Sequence, residues 1–253
     1  MLVFTKWRRQ RVSKKAFPDP WLKIIEENVP FYKNLPVEDK KELQQHVLIF
    51  MSEKHFEGCG GLKITDEIRV TIAAQACILL LHRKTDYYPG LSSILVYPQA
   101  YFARMTEHQP NGVVTEGYDL RSGESWHRGS VVLSWDDVRG AAANIHDGNN
   151  VVLHEFAHQL DDSGAKGDNT PVFQNRSSYI AWARVLQKDF EKLRCEVSRQ
   201  RKTFLDEYGA TNLPEFFAVA TEYFFEKPRE LRKLHPELYQ ELKFFYQQDP
   251  AEL

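Results

Sequence analysis

An α+β fold is the class this sequence predicts, and three observations point to it. The first third of the chain patterns as helices. The middle third holds short β-rich runs separated by glycines, and the last third patterns as helices again. We expect the strands to form a small, mostly antiparallel sheet with irregular loops between them.

The elements follow in order. Residues 1–20 carry Lys6, Arg8, Arg9, Arg11, Lys14 and Lys15 and read as a basic N-terminal tail, solvated in preference to touching an acidic surface; residues 21–253 read as a single domain. Apolar residues at 21, 22, 24, 25 and 29 mark a helix over Trp21–Val29. Pro36 suits a first helical position, with Glu38 and Asp39 in the same turn, and Leu43, Val47 and Phe50 would share a face up to about Met51. A glycine-rich break follows at Glu57-Gly58-Cys59-Gly60-Gly61. Thr65 or Asp66 then caps an apolar core helix running to Leu81. Ile94-Leu95-Val96-Tyr97 and Val131-Val132-Leu133-Ser134-Trp135 are the strand candidates, with Gly112, Gly117, Gly123 and Gly129 between them. Asp147-Gly148-Asn149-Asn150 is a turn that offers an N-cap to a helix over Val151–Leu160. After a polar loop, helices are expected over Ser178–Arg199, from Pro214 to before Pro228, and over Pro236–Gln247.

Composition narrows the function. With 33 Lys and Arg against 35 Asp and Glu, the net charge is −2, which argues against nucleic acid or an anionic membrane as a dominant electrostatic partner. No apolar run approaches the roughly 20 residues of a membrane span. Three cysteines at unpaired spacings (Cys59, Cys77 and Cys195) indicate a reducing, cytoplasmic setting rather than a disulfide framework or a thiolate metal site.

The informative motif is His154-Glu155-Phe156-Ala157-His158. Residues four apart on a helix lie on one face, so both histidines can aim a ring nitrogen at one metal ion, and Glu155 can reach a water beside it. That is two zinc ligands and a general base for hydrolysis. The alternative is a pair of ordinary histidines on an amphipathic helix. A catalytic zinc takes three protein ligands, and Leu213–Glu226 supplies the third: Glu215, Glu222 and Glu226 share one face of a Phe-rich helix. Spacing leaves Glu215 and Glu222 both open. Asp161, three residues past His158, reads either as a carboxylate orienting a ligand histidine or as a solvated helix-end acid. The strand Val131–Trp135 is either a peptide-docking edge or plain core.

Asn149–Asp161, Pro214–Phe225 and Val131–Trp135 resemble the Mlc titration factor A family of bacterial zinc peptidases, itself similar in its core to the catalytic domain of anthrax lethal factor. The resemblance implies a mainly helical zincin-type domain holding one zinc ion per chain. Both families place a Tyr seven residues before the zinc-binding Glu, and here Tyr208 precedes Glu215 by seven. The resemblance therefore assigns Glu215 as third ligand, Tyr208 as the donor to the developing oxyanion, and Glu222 as a supporting carboxylate. It also implies peptide substrates, an aminopeptidase-type activity, and an alternative role in capturing a transcriptional repressor of the Mlc type.

Overall fold

In the computed structural model the described residues are 2–84, 86–108, 114–121, 123–126, 129–165 and 176–253; at 2–3, 101–108, 114–121, 123–126, 162–165 and 176–177 only the backbone is described. The N-terminal helices are α1 (Leu2–Ser13), α2 (Asp19–Asn28), α3 (Pro30–Asn34) and α4 (Val37–Glu53). Proline sits in the first turn of α2 and α3, where its missing N–H costs nothing. Residues 2–13, expected within a solvated tail, instead form a docked helix. Arg9 donates to Glu53 at 2.7 and 2.9 Å and also pairs with Asp86, while its guanidinium lies 4.8 Å over the Tyr87 ring.

Strand β1 (His55–Gly58) follows, then α5 (Asp66–Ile78), whose N-cap is Thr65: its hydroxyl accepts from the Ile68 N–H at 3.3 Å. From Val70 to Ile78 the side chains are buried all round, as an apolar helix at the centre of a fold must be. The sheet strands are β2 (Ser93–Tyr97), β3 (Tyr101–His108), β4 (Val114–Arg121), β5 (Gly123–Trp126) and β6 (Ser130–Ser134).

The sheet corrects the antiparallel expectation. Its order is β1-β2-β6-β5, with β1–β2 and β2–β6 parallel and only β5–β6 antiparallel. Ile94 lies opposite Val131 and Val96 opposite Leu133, so the two predicted strands are direct neighbours. Parallel neighbours need a crossover between them, and α5 supplies it for β1 and β2. The long excursion from β2 to β6 holds β3 and β4, a separate antiparallel pair. Strand β1 was missed because it is four residues long and falls in the glycine-rich stretch. A Cβ at Gly58 would sit 1.9 Å from the Leu62 carbonyl oxygen, so the glycine serves a close chain approach. β6 is internal, and Val131–Leu133 are core; the edge next to it is β5.

The C-terminal half runs α6 (Trp135–Ala143), α7 (Val151–Ala165), α8 (Arg176–Ser198), a 3₁₀ turn (Glu207–Ala210), α9 (Leu213–Glu226), α10 (Pro228–Leu234) and α11 (Pro236–Tyr246). Helix α7 exceeds its expected end at Leu160, and Gly167 and Pro171 of the expected loop lie outside the described residues. Helix α7 packs on α9, with α5 and β5 also against it. Its inward face is Val152, Leu153, Phe156 and Ala157, all fully buried, and Phe156 packs on Tyr88 and Phe50 at ring separations of 4.9 and 5.8 Å.

Candidate metal centre

Two asparagines aim the helices that carry the motif residues. Asn150 Oδ1 accepts from the N–H groups of Val152 and Leu153 at 3.1 and 3.0 Å, capping α7. Asn212 Oδ1 accepts from the Glu215 N–H at 2.9 Å, capping α9. With both helices started and packed together, His154, His158 and Glu215 converge. His154 Nε2 is 2.9 Å from Glu215 Oε2, His158 Nε2 is 3.3 Å from the same oxygen, and the two ring nitrogens are 3.3 Å apart.

This triangle is the test of whether an ion fits. A tetrahedral ion bound at about 2.0–2.1 Å to each donor holds its donors roughly 3.3 Å apart. Two imidazole nitrogens and one carboxylate oxygen at these separations are a fitting donor set. A second group of this kind among the described residues, Asp39, Glu42 and His82, is more exposed and lies on a different part of the chain.

Behind the triangle lies a buried polar network. His154 Nδ1 is 2.7 Å from Glu222 Oε1, and Glu222 Oε2 accepts from the Asn150 N–H. Glu226 Oε2 accepts from the Gly148 and Asn149 N–H groups at 2.8 and 3.1 Å. The Asn150 amide donates to Glu226 Oε1 at 3.2 Å and to Gln75 Oε1 at 3.0 Å. The turn before α7 is thus tied to α9 by two carboxylates and to α5 by Gln75. Gly148 is required there: its φ is +80°, and a Cβ would meet the Tyr223 ring at 2.7 Å.

The network shifts its groups. Burial disfavours the charged His154 ring, but hydrogen bonds to Glu215 and Glu222 outweigh it and push its pKa up to about 10 without a metal. Burial also opposes ionisation of Glu215, yet the two histidines bring its pKa down to about 2. Glu222 goes up, because burial exceeds the help from His154 and the Asn150 N–H. Burial lifts Glu226 to about 8 against its hydrogen bonds, with Asp147 and Glu222 adding repulsion.

Of the residues singled out from sequence, the fold brings together His154, His158, Glu215 and Glu222. Glu155 is buried and close enough to contribute to the His154 shift. Tyr208 lies on the 3₁₀ turn with its ring 5.9 Å from that of His154 and is 55% exposed. Asp161 is exposed on α7, whereas the carboxylate at His154 Nδ1 comes from Glu222. Gln75 and the amide link from Asn150 to it were not singled out from sequence, although the turn ending in Asn150 was read as offering the N-cap. Their signal was a lone amide in the apolar run 68–81 and an Asn directly preceding the motif helix.

A family model described as glucose-regulated metallo-peptidase M90 matches residues 4–247. The chain belongs to this family. It is 39% identical over 246 residues to an uncharacterized protein of Synechocystis sp., covering 96% of this chain and 89% of that one. It is also similar to two proteins named Mlc titration factor A. The one from Klebsiella pneumoniae is 29% identical over 92% of this chain and 87% of its own length; the one from Serratia proteamaculans is 31% identical over 84% and 82%. Membership makes the chain a metallopeptidase, and that activity needs a metal ion. No helix among the described residues is long and apolar enough to cross a membrane.

Proposed function

We propose that this chain is a cytoplasmic, zinc-dependent peptidase of aminopeptidase type, with one zinc ion held by His154 Nε2, His158 Nε2 and Glu215 Oε2. The convergence of those three atoms at 2.9–3.3 Å carries the reading. Zinc there supplies Lewis acidity toward a peptide carbonyl and toward water. Glu155 acts as general base, taking the proton of the attacking water on its carboxylate and delivering it to the leaving amine. Tyr208 donates its phenolic hydrogen to the oxygen on which charge develops. Glu222 accepts the His154 Nδ1 proton, which fixes the tautomer and leaves the Nε2 lone pair for the metal. Three free cysteines, one of them buried, support the cytoplasmic setting.

Metal analysis of the purified, zinc-replete protein should find close to one zinc per chain; less than about a tenth of that overturns the zinc reading. Glu155→Gln should keep the metal and lose hydrolysis by about a hundredfold or more. Hydrolysis that survives removes Glu155 as the base.

The name of the two relatives favours a second reading, in which the chain captures a transcriptional repressor of the Mlc type. A pull-down comparing wild type with Glu155→Gln separates the two. Capture that ignores the substitution, with no peptide turnover in either protein, favours the binder.

A further inference from the structure

The whole-chain charge of −2 conceals a segregation. Residues 1–18 contain six Lys and Arg and no acid, so by formal side-chain count the remainder carries −8. Helix α1 holds most of this positive charge and is docked by one face only. Arg9 pairs with Glu53 and Asp86, and Val12 packs against the core. The opposite face presents Phe4, Trp7 and Arg11, an i, i+3, i+7 stripe, all three exposed; Arg8 flanks it on the Val12 side, exposed but donating to the Ser52 carbonyl at 3.2 Å. Phe4 is 81% and Trp7 61% exposed, with the Arg11 guanidinium 5.9 Å from the Trp7 ring. Lys14 and Lys15 follow, also exposed. That spacing normally marks the buried stripe of a helix; here two aromatic rings and the Arg11 guanidinium occupy it in solvent.

We propose that this face of α1 is a docking surface for an anionic lipid bilayer, with Phe4 and Trp7 inserting at the headgroup level and Arg11, Lys14 and Lys15 meeting lipid phosphates. Charge complementarity selects the occupant. A Trp ring among cations suits the apolar-to-polar boundary of a bilayer, where both parts are satisfied at once. The net negative charge of the rest of the chain would be repelled by the same surface, which orients the molecule with α1 toward the lipid. Arg9, turned inward to its two carboxylates, keeps the helix fixed to the body while the outer face engages.

Vesicle flotation tests this. The full chain should float with phosphatidylcholine vesicles containing phosphatidylglycerol, stay behind with phosphatidylcholine alone, and be released by high salt. Replacing Arg11 and Lys14 by Gln should weaken partitioning about thirtyfold, from roughly a fivefold loss per cation. Replacing Phe4 and Trp7 by Ser should weaken it about a hundredfold, from roughly tenfold per ring. Trp7→Phe should still float, but lose the fluorescence quenching by brominated lipid that the wild type shows. No flotation with anionic vesicles overturns the proposal, as does flotation unaffected by loss of both rings. Equal affinity for an RNA oligomer, indifferent to ring removal, would reassign the face to polyanions in general and also overturn it. Self-association abolished by the ring substitutions, without lipid binding, would make the occupant a second copy and overturn it too.

Discussion

Glu222→Gln isolates the support behind the proposed metal centre from its proposed ligands. The Glu222 carboxylate is buried and accepts two hydrogen bonds, from His154 Nδ1 and from the Asn150 N–H. A glutamine amide has one oxygen and one NH₂ group, so one of those donors meets another donor. A buried donor left unsatisfied costs about 1–3 kcal/mol. Where the loss falls on His154, the tautomer that directs its Nε2 lone pair toward Glu215 and His158 is no longer held. Loss of such a partner weakens metal affinity by about tenfold to a hundredfold, or roughly 1.4–2.8 kcal/mol, in agreement with the first figure. Glu215→Gln removes an anionic donor and should weaken binding by more than about a hundredfold. The assay is zinc affinity by competition with a chromophoric chelator, for wild type and both variants. Glu222→Gln binding zinc as tightly as wild type, or more weakly than Glu215→Gln, refutes the assignment.

Three more outcomes are expected. Tyr208→Phe should lower kcat by about a hundredfold while zinc content stays at the wild-type level, and unchanged turnover takes Tyr208 out of the mechanism. Glu226 keeps its proton to about pH 8 in the fold, whereas an unfolded carboxyl loses it near ~4.3. The folded state therefore binds the extra proton between those values, so the contribution of Glu226 to metal-free stability is greatest at the acid end and falls as pH rises toward 8. Thermal midpoints across that window should slope less in Glu226→Gln; an equal slope refutes the role of Glu226. Phe156→Ala opens a void against Tyr88 and Phe50 at a fully buried position and should cost about 3–5 kcal/mol by urea unfolding.

Much of this was legible in one dimension because the signals are local. A four-residue spacing on a helix puts His154 and His158 on one face whatever the fold. Apolar periodicity and capping residues located α2, α4, α5, α9 and α11 to within a few residues, because helix signals repeat every turn along the chain itself. Strand direction has no such signal. Ile94–Tyr97 and Val131–Trp135 were read as strands, the second one residue too far since Trp135 opens α6, but that they pair side by side and parallel depends on the crossover, not on either segment. Strand β1 is too short to carry a period. The first residues looked like a solvated tail because charge alone was visible; Glu53 and Asp86, which hold Arg9, lie far along the chain.

The sequence by itself determined the chemistry available at the centre: two histidines one turn apart, a glutamate between them, and acids on a second apolar helix. Spacing left open which acid goes where; the resemblance assigned the two, and only the tertiary structure decided the contacts each makes. Glu215 and Glu222 lie two turns apart on one face of α9, so both reach α7. The packing of that helix sets Glu215 against Nε2 of His154 and Glu222 against Nδ1 of the same ring. The physical reason is that an imidazole has two distinct nitrogens about a ring's width apart, and which carboxylate meets which nitrogen is a matter of how two helices cross, a relation no single stretch of sequence contains.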